Sequence, residues 1–442
     1  MRWTQTNQTR TTWLRFVGIG AILSLLIVAF LLFSDRLSTS ATKYILRTAD
    51  KPPLKCPSAH LNTTEWEFHT RRDANDHGLS DEQCRAAFPK LFVELDKAAE
   101  GRKEKKIKFQ EVNEVSVEDG MVRAVVQDGE LYIVDFGAMP ATFSRGKATL
   151  NSLHRALASF PDSRNLPNVE FVLTTEDYST GDGPIWSYSK KDEDTNVWLM
   201  PDFGYWSWPE VKIGSYKDIR ARIASVDDGD SSSSSSPNIQ HGVSFPSKKK
   251  QLVWRGSVAT NPQLRGKLLK AAQGKSWASI RVIDWDNEND IRYNLLPMEE
   301  HCRYMFLAHA EGRSFSGRGK YLLNCRSVTI THQLAWKEVH HAALIASGPE
   351  ANYVQVQNDF SDLERKVEFL IDNPETAQRI AENAVRTFRD RYLTPAAESC
   401  YWRELIRRYA DSCEFEPVLF GMMEDGRKEA RGTPFETWVL TG

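Results

Sequence analysis

Alternating apolar and polar positions mark a pair of strands in the first half of the chain. The stretches MVRAVVQ (121–127) and ELYIVDF (130–136) flank a short turn, Asp128–Glu130, that contains a glycine. This pattern predicts two strands joined by a tight turn. Continuous apolar runs at VEFVLT (169–174) and QLVW (251–254) predict two further strands with buried side chains.

Helical patterns alternate with these strands. An apolar stripe at Leu91, Phe92, Leu95 and Ala98 predicts helix within Ser80–Glu100. Asn-Pro and Thr-Pro pairs supply a cap and a first-turn proline, and Ser361 with Glu364 matches a capping box. Helices are therefore predicted from Asn261-Pro262 to Ala272, from Ser361 to Asp372, from Asn373-Pro374 to Tyr392, and from Thr394-Pro395 onward.

The alternation of strands and helices in both halves predicts an α/β fold with doubly wound sheets. About 400 residues follow the apolar N-terminal segment, more than one core usually holds, so two domains are expected. The serine-rich run DDGDSSSSSSP (227–237) predicts a disordered loop at their boundary.

One glycine- and serine-rich turn stands out in the second half. The segment His301–Thr331 has the pattern of strand, turn, helix and strand, and its turn, EGRSFSGRG, spans Glu311–Gly319. Glycines allow close approach of a ligand, and a helix N-terminus offers free N–H groups to a phosphate. A plain surface turn is an equal alternative, since no known phosphate fingerprint is complete.

The N-terminus predicts a compartment. Phe16–Phe33 is apolar, carries no charge and is long enough to cross a bilayer. We expect an uncleaved signal anchor, with cleavage near Ala41 as the alternative. All six cysteines and the glycosylation sequon at Asn62 follow it, which places the rest of the chain in the secretory lumen.

Composition excludes some functions and leaves others open. The formal net charge is −2, which argues against a general nucleic-acid binder. Four of the 13 tryptophans crowd into one stretch, and we expect at least one of them to face a sugar rather than the core. These four are Trp186, Trp198, Trp206 and Trp208.

Polar residues after two predicted strands are candidates for chemistry. Asp177 follows the strand at 169–174, and a carboxylate at such an edge suits a general base, with Glu176 as its competitor or a turn role as the alternative. Arg255 follows the strand at 251–254 and suits a phosphate, or a salt bridge to a neighbouring carboxylate. Asp284-Trp285-Asp286 resembles a metal-binding triplet, although such triplets often occur by chance.

Three motifs together resemble a known family. WRGS (254–257), EGRSFSGRGKYLLNCRSVTI (311–330) and CYWREL (400–405) are similar to glycosyltransferase family 90, which includes protein O-glucosyltransferases and fungal xylosyltransferases. The resemblance covers roughly residues 110 to 412. It implies a GT-B fold of two Rossmann-like domains facing a cleft.

The resemblance assigns roles to residues of this chain. Asp177 becomes the catalytic base, and Tyr178, Trp206 and Trp208 the aromatic residues near the acceptor sugar. Glu311 stands where protein O-glucosyltransferases carry an arginine, so Arg313 or Arg318 is expected to compensate. The implied donor-binding residues are Arg255, Gly256, Ser257, Arg265, Glu311, Gly312, Arg313, Ser314, Ser316 and Lys320.

The resemblance also implies an activity. We expect an inverting transferase that moves xylose or glucose from a UDP-sugar to a hydroxyl of a glycan, glycolipid or protein, without metal or other cofactor. The alternative is an inactive, membrane-anchored glycan-binding protein of the same fold. As a type II protein of the Golgi or endoplasmic reticulum, the chain divides into a tail (1–15), anchor (16–33), stem and helical region (34–110), acceptor-side domain (111–248), nucleotide-sugar domain (249–395) and C-terminal helix and tail (396–442).

The cysteines complete the predictions. Cys302 and Cys325 match a pair that is bridged in the family, and they bracket the glycine-rich turn. Cys400 opens the last long helix and is expected to pair with Cys56 or Cys84, with Cys413 as a competitor.

Overall fold

The computed structural model describes residues 66–138, 143–179, 183–228, 242–422 and 426–441. The predicted anchor at 16–33, the sequon at Asn62, Cys56 and most of the serine-rich run lie outside these residues. Within the described ranges, no helix combines the length and apolarity that a membrane span requires.

A mixed sheet forms the first half. Its six strands lie in the order β13-β2-β1-β3-β4-β5, where β13 (Thr433–Pro434) comes from the C-terminus and the other five have the ranges given below. Helices α1 (Thr70–Asp73), α2 (Asp81–Ala87), α3 (Val93–Gly101) and α4 (Phe109–Asn113) precede it. The remaining elements of this half are β1 (Met121–Gln127), β2 (Glu130–Phe136), α5 (Phe143–Ala158), β3 (Val169–Thr174), β4 (Ile185–Ser187), β5 (Trp198–Leu199) and α6 (Tyr216–Asp228).

A parallel sheet forms the second half, in the order β10-β9-β8-β6-β7. Its strands are β6 (Lys249–Gly256), β7 (Ala278–Val282), β8 (Tyr304–His309), β9 (Val328–His332) and β10 (Val354–Val356). The helices between and after them are α7 (Pro262–Ala272), α8 (Glu288–Asn294), α9 (Gly319–Leu322), α10 (Leu363–Asp372), α11 (Pro374–Ala384) and a π-helix (Val385–Tyr392).

The C-terminal segment packs against the first half. Helix α12 (Pro395–Ser412) is buried along most of its length and contacts α5 and α3. A short hairpin of β11 (Phe420–Met422) and β12 (Lys428–Ala430) follows, then β13 (Thr433–Pro434), which pairs with β2, and α13 (Phe435–Thr441).

Two disulfides lie within the described residues. The predicted bridge between Cys302 and Cys325 is confirmed. It joins the segment before β8 to the residues just after α9. Cys400 pairs with Cys84, one of its two expected partners, and so ties α12 to α2. Cys413 carries a free thiol whose pKa burial raises to about 12.

The predicted α/β fold is confirmed, and the sheet of the first half is mixed rather than parallel throughout. The predicted turn between β1 and β2 is confirmed: Asp128 and Gly129 adopt φ values of 54° and 82°, which suit a tight hairpin. Because a hairpin forces antiparallel pairing, and β3 also pairs antiparallel with β1, only β3, β4 and β5 run parallel there.

Two helix predictions also need correction. The helix expected within Ser80–Glu100 is two helices, because Pro89 lies between them and lacks the N–H that a continuous helix requires. The capping box at Ser361 and Glu364 does not form: α10 begins after Asp362, and the Glu364 carboxylate instead pairs with Lys275 at 2.5 Å. The helix starts at Pro262, Pro374 and Pro395 are confirmed.

Candidate active site

The order of the parallel sheet locates a crevice. Strands β6 and β8 are neighbours, while the chain continues outward to β7 on one side and to β9 and β10 on the other. Ligands of open α/β sheets bind outside the carboxyl ends of the strands at such a switch point. Here the two strand ends carry the predicted WRGS motif and the turn Glu311–Gly319, which we name the donor turn.

Arg265 holds these two strand ends together. Its guanidinium, on α7, donates to the carbonyl oxygens of Ser257 at 2.6 Å, Glu311 at 3.0 Å and Ala310 at 3.2 Å. The side chain is buried, and loss of hydration lowers its pKa to about 10. Gly312 lies close to this side chain: a Cβ there would be 3.2 Å from the guanidinium, so a larger residue would have to displace it slightly.

Three more arginines lie in or next to the donor turn. Arg318 donates to the carbonyl oxygen of Arg255, and desolvation followed by the positive charge of Arg265 lowers its pKa. The Arg255 guanidinium turns back over the next strand, where it bonds the carbonyl and the hydroxyl of Ser279. Arg313 is exposed at the tip of the turn. None of the four arginines forms an ion pair with a carboxylate of the described chain, so this edge carries uncompensated positive charge.

Asp177 lies where it was predicted, just beyond the carboxyl end of β3. Its Oδ1 accepts a hydrogen bond from Arg145 Nη1 at 3.0 Å, and its side chain is 39% exposed. Asp177 lines a cavity of about 570 Å³ together with Tyr178 and Arg313. Glu176, its competitor, lines the same cavity and is exposed. The wall opposite is acidic and comes from the segment 111–121.

The donor turn touches the candidate base directly. Ser314, which is fully buried, donates from its hydroxyl to the carbonyl oxygen of Asp177 at 2.8 Å. Ser189 donates to the same oxygen at 2.8 Å from within the first half. The geometry therefore brings together Asp177, Ser314 and Arg313, which the sequence predicted as parts of one site.

Glu311 was expected to bind the donor, but its side chain binds backbone groups of the protein itself. Its Oε1 accepts the backbone N–H groups of Ala335 and Trp336 at 2.9 and 2.8 Å. Its own N–H donates to Nε2 of His332 at 3.3 Å, so the neutral His332 ring is an acceptor there. Burial raises the pKa of Glu311 to about 7, against the opposing effect of the two N–H groups.

Lys320 is also engaged within the protein. Its buried ammonium donates to both carboxylate oxygens of Asp202 at 2.7 and 2.9 Å and to the carbonyl of Gly317 at 3.0 Å. This buried ion pair anchors the end of the donor turn to the first half of the chain. Ser316 is buried in the same turn, whereas Gly256 and Ser257 lie at the end of β6.

The aromatic residues occupy three environments. Tyr178 lines the cavity, and its ring packs against Trp336 at a centroid distance of 5.5 Å. Trp208 packs on the donor turn, because a Cβ at Gly317 would lie 3.1 Å from its ring. Trp206 stacks under the Arg155 guanidinium at 4.8 Å. Trp186 and Trp198 are fully buried core residues.

The Asp-Trp-Asp triplet forms a capped turn. The Asp284 carboxylate accepts the N–H of Asp286 at 3.0 Å, and the Asp284 N–H donates to Asp290 at 2.6 Å. Across the described ranges, no three His, Cys, Asp or Glu side chains converge in a way that would hold a metal ion.

Sequence reasoning missed two residues of the site. Arg145 orients Asp177 from α5, and Trp336 supports Tyr178 from the loop after β9. No local signal marks either residue. Arg145 is one of several charged residues on an amphipathic helix, and Trp336 lies in a loop without a motif.

Comparison with known proteins identifies the family. The sequence model of Glycosyl transferase family 90 matches residues 81–425, most of the chain. The chain therefore belongs to glycosyltransferase family 90. The resemblance of WRGS and the donor turn to this family is confirmed.

Curated relatives of the family match the chain over part of their length. An O-glucosyltransferase rumi homolog of Aedes aegypti is 24% identical over 58% of this chain and 64% of its own length. Protein O-glucosyltransferase 1 of Homo sapiens is 24% identical over 55% of this chain and 63% of its own. A rumi homolog of Anopheles gambiae is 33% identical over 55% of this chain and 61% of its own. The chain thus spans less than two thirds of the length of these relatives.

Proposed function

We propose that this member of glycosyltransferase family 90 is an inverting transferase that moves glucose or xylose from a UDP-sugar to a hydroxyl group. The acceptor is a protein, glycan or glycolipid of the secretory lumen. In this proposal the two halves act as the two domains of a GT-B enzyme, with residues 111–248 on the acceptor side and 249–395 on the donor side. The names of the relatives, O-glucosyltransferases, support glucose and a protein acceptor.

One observation carries the proposal: Arg313, in a donor turn rich in arginines without acidic partners, lines the same cavity as the Asp177 carboxylate. Arg255, Arg265, Arg313 and Arg318 lie in or next to the donor turn without an acidic partner in the described chain. Such a charge distribution favours a polyanion, and the diphosphate of a nucleotide sugar fits the switch point between β6 and β8. Asp177 shares its cavity with Arg313, and in this proposal the acceptor hydroxyl enters that cavity.

The residues present suffice for an inverting transfer. Arg145 holds Oδ1 of Asp177, and Oδ2 has no hydrogen-bond partner in the described chain, so it is available to accept the hydroxyl proton. The acceptor oxygen forms a bond to the anomeric carbon. The bond from that carbon to the UDP oxygen breaks at the same time, and its electron pair leaves with UDP. The arginines of the donor turn stabilise the charge that develops on UDP, as fixed cations do in electrostatic catalysis.

The luminal location is supported by the two disulfides, since disulfides form in oxidising compartments. The pairs Cys84–Cys400 and Cys302–Cys325 connect segments that are distant in the chain or that bracket the donor turn. A reducing compartment would leave both as thiols.

UDP release by purified protein tests the proposal. The protein is incubated with UDP-glucose and, separately, UDP-xylose, together with secretory-pathway glycoproteins and glycolipids as acceptors. We expect release of UDP that depends on acceptor, with product of inverted anomeric configuration. If the protein binds UDP but forms no UDP from either UDP-sugar with any of these acceptors, a glycan-binding protein is favoured instead.

A further inference from the structure

A small internal cavity lies beneath the donor turn. Its volume is about 20 Å³, and it is separate from the cavity that contains Asp177. Strands β8 and β9 supply one wall, Gly319 of the donor turn a second, and the segment 338–341 a third. Elements that carry the donor turn therefore meet around this space.

Four buried polar atoms of residues that line the cavity have no hydrogen-bond partner among the described residues. They are Oγ1 of Thr329, Oγ1 of Thr331, Nδ1 of His309 and Nδ1 of His340. Each of these residues is at most 7% exposed. Thr331 pairs with His309 in the parallel register of β8 and β9, and Thr329 lies two residues earlier on the same face.

Such atoms are costly without a partner. A buried hydroxyl or imidazole nitrogen that loses water and gains no hydrogen bond destabilises a protein. Native structures meet this cost with a protein partner or an internal water. Four such atoms around one cavity therefore indicate a shared ligand.

We propose that this cavity is a binding site for one ordered water molecule. The volume admits a single water, which needs about 10–15 Å³ of probe-occupied space and two to four polar partners. A water can donate to one atom and accept from another, so it satisfies the threonine hydroxyls and either tautomer of the two imidazoles. A metal ion is disfavoured, because the described side chains offer no converging set of ligands.

The site positions the donor turn. A Cβ at Gly319 would lie 2.8 Å from Cε1 of His309, so the turn already rests on this imidazole. Glu338 lines the same cavity, and burial raises the pKa of its carboxyl to about 8, which keeps a proton available for the network at neutral pH. A water that joins β8, β9 and the segment 338–341 fixes the ring on which the turn rests.

A crystal structure of the protein at about 1.8 Å or better tests the site directly. We expect one ordered density peak within hydrogen-bond distance of at least two of the four atoms. A well-ordered cavity wall without such a peak overturns the proposal. A peak with short distances to His309 and His340 alone, and with anomalous signal, would identify a metal and overturn it as well.

Thr331→Val tests the site in solution, because valine keeps the shape of the side chain and removes the hydroxyl. If a water is bound there, it loses a partner, and we expect the unfolding midpoint to fall by about 2 °C or more. Backbone amides of residues 312–319 should exchange with solvent severalfold faster, whereas Thr331→Ser, which retains the hydroxyl, should leave their exchange slow. An unchanged or raised midpoint in Thr331→Val, with unchanged exchange, overturns the proposal.

Discussion

The hydroxyl of Ser314 donates a hydrogen bond to the backbone carbonyl of Asp177 across 2.8 Å. Ser314 belongs to the donor turn and Asp177 to the end of β3, 137 residues earlier in the chain. The candidate base is therefore held in place by the segment that is proposed to bind the donor. Ser314 thus links the donor turn to Asp177, beside the bonds that Ser189 and Arg145 make to it from the first half.

Replacement of Asp177 by asparagine should abolish transfer while leaving the donor site intact. Asparagine keeps the size and polarity of the side chain but cannot accept the hydroxyl proton, so we expect turnover to fall about a hundredfold or more. UDP release measures turnover, and calorimetric titration with UDP measures donor affinity.

Glu176→Gln is the matched control, because Glu176 lines the same cavity and is the competing candidate. We expect this variant to retain most of its turnover. Near-normal rates in Asp177→Asn, combined with loss in Glu176→Gln, would assign the base to Glu176.

Ser314→Ala should lower turnover severalfold. A single neutral hydrogen bond contributes about 1 kcal/mol, which corresponds to less than a tenfold effect on the rate. Ser189→Ala is the control, because it removes the other hydroxyl that donates to the Asp177 carbonyl. The Ser189 bond lies within the first half, whereas the Ser314 bond connects the two halves, so the pair of variants separates these two effects. If Ser314→Ala has full turnover, the contact between donor turn and base does not matter for catalysis.

Local sequence patterns predicted the parts of the site that follow strands. Asp177 and Arg255 were predicted because they lie near the carboxyl ends of apolar runs, where ligand crevices form; Asp177 lies three residues beyond β3, and Arg255 is the penultimate residue of β6. Glycines and serines marked the donor turn for a similar local reason. The hairpin of β1 and β2 was also predicted, since Asp128 and Gly129 suit left-handed backbone conformations.

Contacts between distant segments were beyond these patterns. Lys320 was expected to bind the donor, but Asp202, 118 residues earlier, neutralises it in the buried core. Glu311 holds the loop at Ala335 and Trp336, a role that depends on how β8 and β9 pack. The pairing of β13 with β2 likewise joins distant segments of the chain, which no local periodicity encodes.

Activity should persist in EDTA. Arginines of the donor turn are proposed to take the charge that a metal ion would otherwise neutralise, so chelation should leave UDP release unchanged. Added Mn²⁺ should have no effect beyond that of ionic strength. Complete inactivation by EDTA, reversed by Mn²⁺ and abolished in Asp284→Asn, would assign a metal role to the Asp-Trp-Asp turn.

Glu338→Gln should flatten the dependence of stability on pH. Burial, followed by the nearby Asp202 charge, raises the pKa of Glu338 from 4.5 to about 8 in the folded protein. The folded state therefore holds the proton more tightly than the unfolded chain. This contribution to stability is fully present below pH 4.5 and is lost as pH rises through about 8.

Thermal unfolding at intervals between pH 5 and 9 checks this sign. We expect the unfolding midpoint of the wild type to fall as pH rises across this range, and that of Glu338→Gln to fall less. Glu311, whose pKa is raised to about 7, contributes in the same direction in both proteins, so the difference isolates Glu338. Equal slopes in the two proteins would show that Glu338 does not titrate in this range.

The disulfide between Cys302 and Cys325 should stabilise the fold and hold the donor turn. It closes a loop with a sequence separation of 23, and the chain-entropy model assigns such a loop about 3 kcal/mol. Its two ends lie before β8 and after α9, so the loop contains the whole donor turn. Replacing both cysteines by serine should lower the unfolding midpoint and weaken UDP affinity.

Replacing Cys84 and Cys400, which join α2 to α12 away from the donor turn, should lower the midpoint but leave UDP affinity nearly unchanged. Equal losses of UDP affinity in the two double variants would mean that the bridge acts only through global stability.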